Sequence, residues 1–241
     1  MFKKWLKYSY ADQKTQSARI SAIVLRTVLL FIVYIAFTNF VFYMRSVENT
    51  SMQPALNPGD HLIFSSFSVR SYIKDSYSLS KLPVERGNIV LIDRNADQEN
   101  SGVSFVFDRI VRFFTLGKIG YKGYNNNLFV KRIIGLPGDT VSLTNFVLRV
   151  RPAGSPYTFT EFELSDELYY PNIPQVSSLW DSSLPFSGNL DPIVLGENQC
   201  FVLSDDRGNT NDSRTWGAVT STHIRGKAIF RYWPPNHLGF P

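Results

Sequence analysis

Residues 128–139 read Leu128-Phe129-Val130-Lys131-Arg132-Ile133-Ile134-Gly135-Leu136-Pro137-Gly138-Asp139. The run to Ile134 is aromatic, β-branched or otherwise apolar except for two adjacent cations, a composition that suits a strand. Gly135 and the Pro-Gly-Asp that follows close it in turn chemistry, because proline presets φ and glycine admits the left-handed region. The same alternation of short apolar run and turn recurs along the chain. His61–Phe64, Asn88–Asp93, Thr140–Val150, Asn198–Ser204 and Gly226–Tyr232 are further strand candidates, with turns at Pro58-Gly59-Asp60 and Arg86-Gly87-Asn88. Short strands punctuated this regularly predict a mainly β domain.

The chain of 241 residues, 44% apolar and 15% aromatic with 19% charged, can bury a core and is neither disordered nor a coiled coil. Its one cysteine, Cys200, excludes an internal disulfide framework and a cysteine-based zinc site. The net charge of +5 does not point to nucleic acid once it is placed. Residues 1–45 carry seven of the 25 basic groups and one of the 20 acidic ones, which leaves 18 and 19 for the other 196 residues. No metal or nucleotide motif is present, so no cofactor is expected.

From Thr27 to Met44 the sequence has no charge, and Ile20–Leu25 extends the apolar stretch beyond Arg26. A helix of eighteen residues would be about 27 Å long, near the ~30 Å hydrocarbon thickness of a bilayer. The stretch is longer than the apolar part of a cleavable signal peptide and ends in Tyr-Met-Arg-Ser-Val-Glu-Asn, without a small-x-small site. A core helix rarely follows so basic a tail. The reading is a cytoplasmic tail (1–19), a single transmembrane anchor (20–45) and a β-rich domain (46–241) across the membrane, oriented by the five basic residues before Ile20.

Two insertions interrupt the β pattern, at about 95–126 and 153–192. The second, rich in Pro, Ser and Tyr, is expected to form a smaller cap region. Within the first, Val103, Val106, Phe107, Ile110 and Phe114 fall at helical spacing. Such a helix could lie at the membrane interface or pack on its own domain.

Chemistry concentrates in three segments: Asn49-Thr50-Ser51-Met52-Gln53-Pro54-Ala55-Leu56, then Phe129–Asp139, and Ser204-Asp205-Asp206-Arg207-Gly208-Asn209-Thr210-Asn211-Asp212-Ser213-Arg214. A serine hydroxyl is a weak nucleophile until a base takes its proton. His61, His223 and His237 sit in no triad-like context. Lysine can serve if neutral, but a pKa near 10.4 leaves only about one in 2,500 unprotonated at pH 7. Burial without an acidic partner lowers that pKa. Lys131 lies in an apolar run, shares a strand face with Phe129 and Ile133, and has no acid within seven residues on either side. Spacing alone leaves open an ordinary surface lysine beside Arg132.

The three segments, in this order behind a basic anchor, resemble those of bacterial type I signal peptidases, the membrane-bound Ser/Lys endopeptidases that process exported proteins. Gly226–Pro234 resembles the family's closing segment. The resemblance implies a serine endopeptidase that removes signal peptides from exported preproteins after small-x-small sites. It makes Ser51 the nucleophile and Lys131 the general base, with the Ser51 amide as an oxyanion donor. Asn49 stands where many members have a serine that assists the oxyanion. Thr210 stands at the position of a serine that bonds the catalytic lysine. Asp212 and Arg214 match a pair that braces this loop, and Arg132 is expected to pair with Asp205. Val47, Met52, Leu56, Phe129 and Val130 match positions lining two shallow apolar substrate pockets. The implied partners are signal peptides and membrane lipid, with no nucleic acid and no metal. The implied location is the bacterial cytoplasmic membrane, with the amino terminus inside and the catalytic domain on the outer side.

Glu48, Asn49, Ser204 and Gly208 depart from the family pattern and motivate an alternative, a catalytically inactive membrane-anchored β module that binds partners. A Ser-x-x-Lys enzyme is a poor fit because Pro54 stands where its lysine should be. A self-cleaving repressor would need a DNA-binding module where the anchor lies.

Overall fold

The computed structural model describes residues 16, 18–34, 42–66, 84–94, 128–165, 168–175 and 188–241. The chain divides into two units, Met1–Phe40 and Val41–Pro241. In the first, residues 18–34 are helical, and Ile20, Ile23, Val24, Leu25, Val28, Leu29, Leu30, Ile32 and Val33 are all exposed. Among the described residues no helix is long and apolar enough to cross a membrane.

The expected anchor boundary at residue 45 is corrected by the second unit. Phe42–Ser46 is strand β1, paired antiparallel with β2 (His61–Ser66), Arg45 opposite Leu62. Aromatic and apolar residues that continue the uncharged run of the span therefore belong to the β domain. The proposed interfacial helix over Val103–Leu116, and the whole 95–126 insertion, lie outside the described residues.

The second unit is mainly β. Seven strands form an antiparallel sheet in the order β1, β2, β11, β3, β4, β9, β10, where β3 is Ile89–Asp93, β4 Leu128–Gly135, β9 Gln199–Leu203, β10 Val219–Thr220 and β11 Ile224–Trp233. Strand β3 is buried along its whole length, as its unbroken Ile-Val-Leu-Ile run requires of a central strand. The stretch Thr140–Val150, expected as one strand, is a hairpin of β5 (Thr140–Thr144) and β6 (Val147–Arg151). Both turn residues are left-handed, Asn145 at φ 51° and Phe146 at φ 66°. Asparagine tolerates that region, whereas phenylalanine is held there by burial and by its amide bond to the Gly188 carbonyl at 2.8 Å. A Cβ on Gly188 would come within 2.5 Å of the Phe146 ring.

The described parts of the 153–192 insertion, expected as a smaller cap region, build onto a second, smaller sheet. They supply β7 (Phe159–Thr160), the short helix Glu161–Leu164 and the beginning of β8 (Leu190–Val194), and join β5 and β6 in a four-stranded sheet ordered β7, β6, β5, β8. Val141, Leu143, Leu148 and Val150 alternate inward from this sheet and pack with Ile134, Phe201 and Leu203 of the large one.

Candidate active site

Ser51 opens the loop that follows β1. The neck of this loop is closed by backbone bonds from Val47 N–H to the Asp60 carbonyl and from Gly59 N–H to the Val47 carbonyl, each 2.8 Å. Asp60 accepts from Asn57 N–H and from Arg231 Nη1 of β11, both at 3.0 Å, and the same Nη1 donates to the Ala55 carbonyl. Met52 and Leu56 share one turn, Leu56 N–H to the Met52 carbonyl, and both side chains are fully buried. An apolar anchor beneath and an ion pair behind thus hold Ser51, itself only 2% exposed.

Lys131 sits on β4 opposite Val90 of β3, with its neighbour Arg132 opposite Leu203 of β9. That register carries β9 into Ser204, whose Oγ accepts a hydrogen bond from Lys131 Nζ at 2.8 Å. Lys131 is 1% exposed, and loss of hydration lowers its pKa from 10.5 to about 8 against the opposing pull of Asp212. At pH 7 such a group is neutral in roughly one molecule in ten.

Neighbouring carboxylates would restore the charge if they were free; arginines engage Asp205 and Asp212, while Asp206 accepts from Asn172 Nδ2 and Gly208 N–H. Arg132 Nε and Nη2 bond both oxygens of Asp205, at 2.8 and 2.7 Å, as expected from the sequence. Arg214 Nε and Nη2 do the same for Asp212, at 2.9 and 2.7 Å. Burial pushes the Asp212 pKa up, but the bonds and charge of Arg214 outweigh it and hold the carboxyl below its usual range. Asp212 also accepts from the Ser204 amide and caps the helix Ser213–Trp216. The Ser51 loop joins this segment directly, because the Ser51 carbonyl accepts from Asp206 N–H at 3.0 Å. All three sequence segments therefore meet through backbone and side-chain bonds.

Not every expected role matches the geometry. Thr210 does not bond Lys131 here. Its carbonyl accepts from Asp212 N–H at 2.8 Å and from Thr215 Oγ1 at 2.6 Å, which keeps it in the outer part of the loop. Asn49 presents its side-chain carbonyl, not its NH2, to the Ser51 amide at 3.1 Å. Val47, Met52 and Leu56 are buried in one cluster with Leu62, Phe64, Ile89 and Leu91, and Val130 packs against it. Phe129 faces elsewhere, its ring 5.0 Å from that of Trp216. No hydrogen bond joins Ser51 Oγ to Lys131 Nζ among the described residues.

Two features escaped sequence reasoning. The sequence marks Ser204 only as a departure from the family pattern. A buried cluster also links the second sheet to the third segment: Glu161 accepts from Arg207 Nη2 and from the Tyr169 hydroxyl, each at 2.5 Å, and from Leu148 N–H at 3.0 Å. The guanidinium of Arg132 stacks 4.4 Å over the Tyr169 ring, so this cluster also packs against the residue next to Lys131. The β-branched and apolar pattern carries no signal for such a pairing, although an arginine in a segment otherwise rich in turns invites a search for its acid.

A buried lysine whose neighbours Asp205 and Asp212 are engaged by arginines, in a segment bonded through Asp206 N–H to the Ser51 carbonyl, defines a class of site suited to hydrolysis by a serine nucleophile. The family described as "Signal peptidase, peptidase S26" matches residues 20–233, and the chain belongs to it. Similar proteins include signal peptidase I of Leptolyngbya laminosa, 29% identical over 83% of this chain and 73% of that protein. Signal peptidase I of Bacillus caldolyticus is likewise 29% identical, over 83% of this chain and 85% of its own length. The chloroplastic thylakoidal processing peptidase 1 of Arabidopsis thaliana is 24% identical over 80% of this chain and 43% of its own.

Proposed function

We propose that the protein is a membrane-bound serine endopeptidase that removes signal peptides from exported preproteins after small-x-small sites. Ser51 is the nucleophile and neutral Lys131 the general base. The observation that carries this reading is the state of Lys131: buried, hydrogen-bonded to a neutral hydroxyl, and with Asp205 and Asp212 each engaged by an arginine.

The mechanism follows from those residues. Neutral Lys131 accepts the proton of Ser51 Oγ as the oxygen attacks the scissile carbonyl, and returns it to the leaving amine. The acyl-enzyme is then hydrolysed by a water activated by the same amine. The developing oxyanion is stabilised by Ser51 N–H, which it takes over from Asn49 Oδ1. Rotation of the Asn49 amide about its Cβ–Cγ bond then offers Nδ2 to the same oxygen. Val47, Met52, Leu56 and Val130 form the apolar floor that sets the size of the substrate side chains, and Phe129, which packs on Trp216, lies apart from it. A pocket of this kind discriminates by only ~1–3 kcal/mol per methylene.

The proposed anchor precedes Phe42, and the exposed apolar side chains from Ile20 to Val33 support it, because so large a contiguous apolar surface is unfavourable in water. The proposed topology is single-pass in the bacterial cytoplasmic membrane, amino terminus inside. The test is cleavage of a secretory precursor ending in Ala-x-Ala, in lipid or detergent, by the parent and by Ser51→Ala and Lys131→Met. The reading expects cleavage after the second alanine by the parent and none by either variant. A folded parent without activity would favour the inactive binding module.

A further inference from the structure

We propose that Ser204, rather than Thr210, is the positioning residue for the Lys131 amine, and that its hydroxyl aims the amine's lone pair at Ser51. The proposal rests on Lys131 being the general base. Lys131 Nζ donates to Ser204 Oγ at 2.8 Å, and the two residues are 1% and 0% exposed. Ser204 is fixed independently of the lysine: it continues β9, whose Leu203 lies opposite Arg132, and its own N–H donates to Asp212 Oδ2 at 2.9 Å. The amine is thereby held against the sheet. Thr210 belongs to the outer loop, where among the described residues only its carbonyl is engaged.

The chemistry favours a hydroxyl at this point. A neutral amine has two N–H bonds and one lone pair. An acceptor on one N–H stops rotation about Cε–Nζ and leaves the lone pair free to take a proton. A carboxylate there would also orient the amine, but it would stabilise the ammonium and remove the base at neutral pH. Asp212 instead meets Ser204 through the backbone amide and keeps its charge on Arg214. Ser204, one of the chain's departures from the family pattern, thus supplies a side chain that performs the task from the strand end.

The experiment measures kcat, KM and the pH profile of the full chain in detergent for the parent, Ser204→Ala, Ser204→Thr, Thr210→Val and Lys131→Met. Ser204→Ala is expected to lower kcat about tenfold to a hundredfold with little change in KM, the cost of a misdirected group. It also moves the acid limb of the kcat profile to lower pH, because a hydrogen bond that favours the ammonium is lost. Ser204→Thr keeps the hydroxyl and restores both, which separates the role from a packing defect. Thr210→Val leaves the acid limb where it is. A limb that moves in Thr210→Val and stays in Ser204→Ala overturns the proposal, as does a Ser204→Ala enzyme with the parent's kcat. If Lys131→Met retains activity, the base assignment falls and this proposal with it. Inactive Lys131→Met beside an unaffected Ser204→Ala overturns this proposal alone.

Discussion

Replacing Lys131 by methionine should change how stability depends on pH, by an amount set by the burial of the amine. Burial lowers the Lys131 pKa from 10.5 to about 8. In the unfolded chain the amine returns to its ordinary value. Between those two pH values the unfolded state binds more protons than the folded state, so stability rises with pH across the window. Below pH 8 the folded protein bears the full cost of a buried ammonium, and the gap between the two pKa values corresponds to about 3 kcal/mol. Integrated from pH 7 to pH 9.5, about 2 kcal/mol of it is recovered. Methionine fills a similar volume and does not titrate. The difference between the two proteins therefore isolates the titration of Lys131, the change in its Ser204 hydrogen bond included. Urea unfolding of both proteins in the same detergent at pH 7 and 9.5 measures the effect. The parent should gain about 2 kcal/mol on Lys131→Met over that interval. Parallel pH dependences would refute the claim that Lys131 is a desolvated amine in the folded protein.

Other consequences concern activity and packing. The kcat of the parent should rise with pH through about 8 and level off above it, since only neutral Lys131 accepts the proton, and a flat profile from pH 6 to 9 would contradict this. Asn49→Ala should lower kcat by about a hundredfold with KM nearly unchanged, the scale of one lost oxyanion donor, and an unchanged kcat would leave Asn49 as a cap on Ser51 alone. Glu161→Gln leaves the buried Arg207 guanidinium without its carboxylate and should cost about 3–5 kcal/mol by urea unfolding, and a loss below about 1 kcal/mol would show that the pair is dispensable. Gly226→Ala places a Cβ 2.1 Å from the Ser65 carbonyl across β2 and β11, and should lower the unfolding free energy from urea titration by an overpacking cost of about 1–3 kcal/mol, whereas an unchanged value would contradict the close approach.

Much of the large sheet is legible in the sequence because its strands are short, apolar and closed by Gly, Pro and Asp. Leu128–Gly135 and Ile89–Asp93 fall within a residue of the expected runs. The hairpin within Thr140–Arg151 was not legible, because its turn needs a left-handed phenylalanine that no local preference supports, only burial and the closeness of Gly188. The end of the anchor was obscured for a related reason: Phe42–Met44 is apolar enough for lipid, yet pairs with β2. The pairings of Arg132 with Asp205 and of Arg214 with Asp212 could be expected from the motifs. The partner of Lys131 could not, because a motif gives spacing along one segment and not the register between two strands. Once Arg132 lies opposite Leu203, Ser204 is the hydroxyl next to Lys131. The pairing of Glu161 with Arg207 spans 46 residues and links the second sheet to the third segment, and no local pattern announces it.

The central claim is that Ser51 is a nucleophile made reactive by Lys131, and the most direct measurement is the site of a covalent adduct. The full chain in detergent is treated with an acylating inhibitor at pH 8, and the modified peptide is located by mass spectrometry. The account predicts a single acyl group on Ser51 in the parent, its rate falling as pH drops below about 8. It predicts no adduct in Ser51→Ala and none in Lys131→Met over the same time. Acylation of another residue, or labelling of Ser51 at the parent's rate in Lys131→Met, would contradict it.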